Sequence, residues 1–301
     1  MKDQKVILLP LLLIIIQPAF MGTYVAITKG AAGLVPPVSL AFWRWFFAFL
    51  ILLPFVFKKI KKNRTQIKKE WKKLFFLGFA GFCICGIFPA ISGMTTTVIN
   101  MGIIYSASPV FIILFSFFLF KERINRYGII GIIICLVGVI AVLTKGNFNN
   151  LLTLKFTSGD LWIAGAMISW AIYSIYLMNF RSKFDLITRF ALMIFFGILC
   201  IIPLYIVENN FFFSTNFDFN FFKWTLSASI LPGIIAFLMY SKLQKLVGAS
   251  LTGLTVYLIP IYSSIYGYFL FDEELFLYHL FGGFLVITGL IIANKNLFNV
   301  R

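Results

Sequence analysis

Ten apolar runs of about twenty residues alternate with short polar breaks: roughly 6–28, 37–57, 74–93, 97–120, 126–144, 160–180, 188–207, 222–243, 249–271 and 277–294. A helix needs about 20 apolar residues to cross a hydrocarbon layer, so each run predicts one membrane-spanning helix, numbered here as spans 1 to 10. The longest breaks are the basic stretch 58–73, which reads as a loop, and the polar stretch 145–159. Neither leaves room for a soluble domain. The fold class expected is an all-α membrane protein of ten transmembrane helices.

Composition supports a lipid solvent: 61% of the 301 residues are hydrophobic and only 12% charged, with a mean hydropathy of +0.97, too little charge to cover a soluble surface of this size. The net charge of +16 changes the picture through its placement. Nine Lys and Arg fall between Lys58 and Lys73. Counted over alternate loops, 21 basic residues fall on one side and four (Lys29, Lys145, Lys155 and Lys223) on the other. Basic residues beside spans face the cytoplasm and anionic headgroups, so the pattern predicts a multi-pass protein of the inner (plasma) membrane with both termini cytoplasmic, and no nucleic-acid partner. The N-terminal run is long and lacks a small-residue cleavage site, so it reads as a first span and not a removed signal. Cys83, Cys85, Cys135 and Cys200 lie inside apolar runs and His279 is the sole histidine; no metal site, cofactor or disulfide framework is expected.

The chain repeats itself at an offset of 151. PVFIILFSFFLFKER starts at position 109 and PIYSSIYGYFLFDEE at 260. Pro109 meets Pro260, Glu122 meets Glu273, Tyr127 meets Tyr278, Gly131 meets Gly282, and Gly138 meets Gly289. Matches among Pro, Glu, Tyr and Gly carry weight because these residues punctuate helices. Residues 1–150 and 151–301 therefore each hold five spans, and an odd number makes the second half enter the membrane inverted, a pattern typical of alternating-access transporters.

The two span pairs SPVFIILFSFFLFKERINRYGIIGIIICLVGVI and IPIYSSIYGYFLFDEELFLYHLFGGFLVITGLI, with PPVSLAFWRWFFA and SGDLWIAGAMISWAIYSIY earlier, resemble the EamA family of the drug/metabolite transporter superfamily along the whole chain. The resemblance implies ten spans, cytoplasmic ends and movement of small metabolites, amino acids being the usual expectation, with export favoured over uptake and no enzyme activity. A lipid-carrier or nucleotide-sugar translocator of the same fold is the alternative, and a non-transporting membrane protein a further one. One departure stands out: DEE at 272–274 replaces the usual Gly-Glu-Arg/Lys and leaves Glu273 without an adjacent basic partner.

Candidate cavity residues are the polar and aromatic side chains of the inner spans: Gln17; Arg44; Asn100, Tyr105 and Ser108; Ser169, Trp170 and Tyr173; Tyr240; and Thr252, Thr255 and Tyr257. Small-molecule sites are mostly apolar with a few placed polar groups. Arg44 is the only ionisable residue well inside a span, where a charge is costly and faces the bundle interior or water; it either binds an anionic group of a substrate or holds helices together. Pro109 and Pro260 either bend their spans around a cavity or pack passively. Glu122 and Glu273 either cap and orient helix ends or act as gates. The paired glycines read as close helix contacts. With no acid at mid-membrane, proton coupling through a buried carboxylate is not expected. The partners expected are a small-molecule substrate and membrane lipid, with a homodimer as one option for assembly.

Overall fold

The computed structural model describes residues 2–120, 126–144, 146–147, 157–240, 242–243, 246 and 254–293. Among these, all regular structure is helical. Span 1 is α1 (Lys2–Ala31) and span 2 is α2 (Pro37–Lys62). Span 3 joins α3 (Arg64–Gly78), a π-helical turn Phe79–Ile84, and α4 (Cys85–Ser92); span 4 joins α5 (Val98–Ser106) and α6 (Ser108–Phe120). Next come α7 (Arg126–Leu143), α8 (Ser158–Asn179) and α9 (Leu186–Phe211) for spans 5 to 7. Span 8 starts as α10 (Phe219–Ala228) and passes into a second π-helical stretch, Ser229–Ile235. Span 9 is described from a 3-10 turn, Leu254–Leu258, into α11 (Ile259–Phe271), and span 10 is α12 (Leu277–Ala293).

Seven of these segments are long and apolar enough to cross a membrane: Leu12–Ala31, Pro37–Lys62, Arg64–Ser92, Val98–Leu119, Ser158–Leu177, Leu186–Phe211 and Phe219–Tyr240. Arg126–Val142 and Leu277–Gly289 are shorter apolar helices. The perimeter is oily. Phe55, Phe118, Phe211, Phe219, Phe269 and Leu277 are each more than two-thirds exposed, a surface that only lipid or a partner would cover at low cost.

The basic stretch 58–73 is helical, not a loop. α2 runs on to Lys62 and α3 begins at Arg64, with Asn63 alone between them and its backbone N–H bonded to the carbonyls of Lys59 and Ile60. Lys and Arg are good helix formers, and Lys59, Lys61 and Lys62 fill the last turn of α2, where the helix dipole favours cations. A helix of 26 residues is about 39 Å long and outreaches a hydrocarbon layer of about 30 Å, so its charged end stands clear. This is called the basic end below.

The halves pack with two-fold pseudo-symmetry. Spans 2 and 7, 4 and 9, and 5 and 10, the pairs equated by the offset of 151, contact one another directly. Other contacts come in exchanged pairs: span 3 on span 6 with span 8 on span 1, span 1 on span 9 with span 6 on span 4, and span 2 on span 8 with span 7 on span 3. Spans 5 and 10 approach so closely that a Cβ on Gly138 would lie 2.7 Å from the Gly282 carbonyl oxygen, and one on Gly282 would lie 2.8 Å from that of Gly138. Only glycine permits this backbone contact.

Pro109 and Pro260 are the second residues of α6 and α11. Each follows an interruption, at Ala107 in span 4 and at the 3-10 turn in span 9. A proline in a first helical turn gives up an N–H that has no helical partner anyway, so these prolines restart helices and do not kink continuous ones.

The end opposite the basic one is clasped by side chains. Glu208, buried at the end of α9, accepts from the backbone N–H of Val38 (2.8 Å) and Ser39 (2.7 Å) and from the Ser39 hydroxyl. Glu273 does the same for α5, taking Val98 N–H at 2.8 Å and Ile99 N–H at 3.1 Å. Each carboxylate fills the unpaired donors at another helix's start, where the dipole also favours an anion.

Candidate functional site

A cavity of about 50 Å³ lies where spans of both halves converge. Its polar and aromatic wall is Tyr24, Arg44, Trp45, Tyr105 and Trp170. Gly81 and Pro232 from the two π turns line it as well, as does Phe237. Gly81 and Pro232 stand 151 positions apart, so the duplication supplies two matching pieces of wall. A side chain on Gly81 would run into the Tyr173 ring, whose Cδ2 would be 2.5 Å from its Cβ; the glycine lets that ring pack into the π turn.

Arg44 is 4% exposed and, among the described residues, the only charged one on the wall. Its guanidinium carbon lies 3.5 Å from the centre of the Tyr24 ring and 4.2 Å from that of Trp45. The Tyr24 hydroxyl donates to the Gly86 carbonyl, which pins the ring in place. Two ring faces supply about 1–2 kcal/mol each to a desolvated cation. They leave two of its nitrogens unserved: Nε and Nη1 are buried and have no hydrogen-bond partner among the described residues. Buried donors left unpaired cost about 1–3 kcal/mol apiece.

Of the sequence candidates, Arg44, Tyr105 and Trp170 meet at this wall. Tyr173 is packed behind it, its ring centre 5.2 Å from that of Trp170 and 5.9 Å from that of Phe82. Gln17 is buried one turn before the wall residue Met21 and accepts from the Thr255 hydroxyl at 3.0 Å, tying span 1 to span 9. Ser169 donates to the Ala80 carbonyl at 3.0 Å, a helix-to-helix bond. Ser108 is buried beside the break in span 4, and Tyr240 is half-buried; neither belongs to the wall. Thr252 and Glu122 lie outside the described residues, as does the side chain of Tyr257.

Asn100 belongs to a different cluster, at the clasped end. Its Nδ2 donates to Asp160 at 3.4 Å, and its Oδ1 lies 3.1 Å from His279 Nε2. Because His279 Nδ1 accepts from the Phe276 N–H, Nε2 carries the proton and donates to Asn100. Asp160 also accepts from the hydroxyls of Thr96 and Thr157, and Lys29 donates to the Thr96 carbonyl at 2.8 Å. Spans 1, 4, 6 and 10 are joined there.

The sequence profile of the EamA-like transporter family matches residues 8–144 and again 157–295. The chain belongs to the EamA-like transporter family. A transporter of Archaeoglobus fulgidus, described as uncharacterized, is 24% identical over 283 residues, covering 94% of this chain and 96% of its own length. The uncharacterized transporter YyaM of Bacillus subtilis is 21% identical over 275 residues, covering 91% and 90%. A solved structure titled only as the crystal structure of a protein superposes with a TM-score of 0.62 at 16% identity over 99% of both chains, which shows the shared fold.

Within the EamA-like frame, the DEE departure has a structural counterpart. Asp272 closes α11 in the left-handed region, at φ 51°, the conformation for which glycine is the usual choice. Glu273, lacking a basic neighbour in sequence, spends its charge on the α5 amides instead. Sequence reasoning missed Tyr24, Trp45, Phe237 and the Gly81–Pro232 pair. The offset of 151 would have found that pair, had matching positions been sought without matching residues.

Proposed function

We propose that this EamA-like protein is a secondary transporter that moves small polar metabolites, with export as its direction, across the inner membrane by alternating access. Ten spans form two inverted five-helix repeats, divided at about residue 150 and with both termini cytoplasmic, in line with the sided basic residues. The observation that carries the reading is the Arg44 cavity, walled by both halves at their junction, where inverted-repeat transporters hold their substrates. The clasp made by Glu208, Glu273 and the Asp160 cluster lies at the end this orientation puts outside, which supports a state shut to the exterior. At its present volume the cavity is well below the 300–1,000 Å³ usual for a small-molecule site, so admission of a metabolite requires the halves to move. Reconstitution into liposomes with a panel of labelled metabolites, with and without a pH gradient, tests the reading. Saturable flux is expected; flux no greater than that of protein-free liposomes for every solute would sink it.

A further inference from the structure

We infer that the solute held by this cavity is a small monocarboxylate with a short apolar body, in preference to a zwitterionic amino acid or an amine. The inference rests on the transport reading and narrows it. Among the described residues, Arg44 is the single charge on the wall, and its Nε and Nη1 donors are unmet. No carboxylate among the described residues balances it there. Of the ten acids in the chain, Glu70 and Asp185 serve the basic end, where they bond Ser182 and Lys59. Asp160, Glu208 and Glu273 are spent in the clasp, and Asp218 caps α10. Asp272 and Glu274 are exposed in the turn after α11. Asp3 and Glu122 have no described side chains and lie toward span ends in sequence.

The wall around Arg44 is largely apolar, so the charge of the solute decides. A monoanion neutralises Arg44 and supplies acceptors to its idle donors. A zwitterion brings the same carboxylate but also an ammonium, for which the described wall holds no acid. The aromatic faces do not replace that acid: Tyr24 and Trp45 already cover Arg44, and Trp170 packs its ring against Tyr105, Tyr173 and Phe237. An amine would set two like charges in a low-dielectric space, the least favourable case. The remaining wall, with Val25, Ile163 and Ile259 among its members, suits a short hydrocarbon body, and the small volume sets its size.

The test uses three four-carbon probes differing in charge: 2-oxobutanoate, 2-aminobutanoate and butan-1-amine. Each is titrated calorimetrically into the full-length protein in detergent at pH 7. The oxo acid is expected to bind at least about tenfold more tightly than the amino acid, a difference of about 1.4 kcal/mol, and the amine to show no saturable binding. Arg44→Gln should bring the oxo acid to amino acid ratio close to one, while Arg44→Lys should keep the order with weaker binding. Equal or tighter binding of the amino acid or the amine overturns the inference, as does absence of binding by all three, or an unchanged ratio in Arg44→Gln. If Arg44→Gln fails to fold, as judged by gel filtration, the wild-type ratio and Arg44→Lys decide. Failure of transport is scored separately by the metabolite panel. Flux of amino acids without preference for the oxo acid overturns this inference alone, and absence of all flux overturns the transport reading.

Discussion

Gly282→Ala tests the contact between spans 5 and 10. The added methyl would stand 2.4 Å from Val142 Cγ2 and 2.8 Å from the Gly138 carbonyl oxygen. Carbon contacts settle near 3.5 Å, so the shortfalls are about 1.1 and 0.7 Å. The second atom is backbone and cannot rotate away, so α7 and α12 must separate. Overpacking of this kind costs about 1–3 kcal/mol. An alanine also gains about 1 kcal/mol over glycine in helix propensity, which complicates comparison with wild type. Gly283→Ala removes that complication: a Cβ there meets nothing within 4 Å, and the propensity gain is common to both variants. Gly282→Ala should therefore be less stable than Gly283→Ala by about 1–3 kcal/mol, read as unfolding by SDS titration in mixed micelles or as a lower melting temperature in detergent. The double variant Gly138→Ala/Gly282→Ala should lose less than the sum of the singles, because helices already forced apart need not be parted again. Equal stability of the two neighbouring variants, or a more stable Gly282→Ala, would refute the close-contact argument.

Three further outcomes are expected. Asp272→Gly relieves a left-handed side chain at φ 51° and should raise stability by about 1 kcal/mol in the same assay. Glu208→Gln replaces an acceptor-only clamp by one with an amide facing N–H donors; a loss of about 1–3 kcal/mol is expected, with faster hydrogen exchange at Val38 and Ser39. Asp185 is held below the usual carboxylate range: burial opposes its ionisation, but hydrogen bonds from Thr188 and Lys59 outweigh that effect. A depressed carboxyl stabilises the fold above its unfolded value and loses that contribution as pH falls through the folded one. Its pair with Lys59 is well exposed and worth under about 1 kcal/mol, so melting of Asp185→Asn should trail wild type slightly at neutral pH and converge with it below about pH 4.

The apolar runs showed where helices lie because a span must be long and oily, and each of them coincides with helix where it is described. Arg44, Tyr105 and Trp170 could be picked as wall residues on the same physical ground, since polar groups in oily runs turn inward. Asn100 was picked equally and sits elsewhere, because its partners Asp160 and His279 are 60 and 179 positions away. Glu208 was not picked at all, since nothing near it in sequence reveals Val38 and Ser39 as its partners. The basic stretch was ambiguous because lysine suits a solvated helix and a loop alike. The π turns were invisible for another reason: they differ from α-helix in hydrogen-bond register, and residue type does not encode that.

The two π turns also bear on the history of the chain. A π turn absorbs one surplus residue while its flanking helices keep their faces. Loss of one residue elsewhere between Arg64 and Ser92 would turn everything beyond it by about 100°, whereas loss within 79–84 would only straighten the turn. Both halves carry the surplus at matching places, Phe79–Ile84 and Ser229–Ile235. The simplest order of events puts that insertion before the duplication, so the ancestral half already had its bulged wall. Arg44 has no such twin, since Phe195 stands at its counterpart position. The shape of the cavity was inherited twice, and its charge belongs to one copy alone.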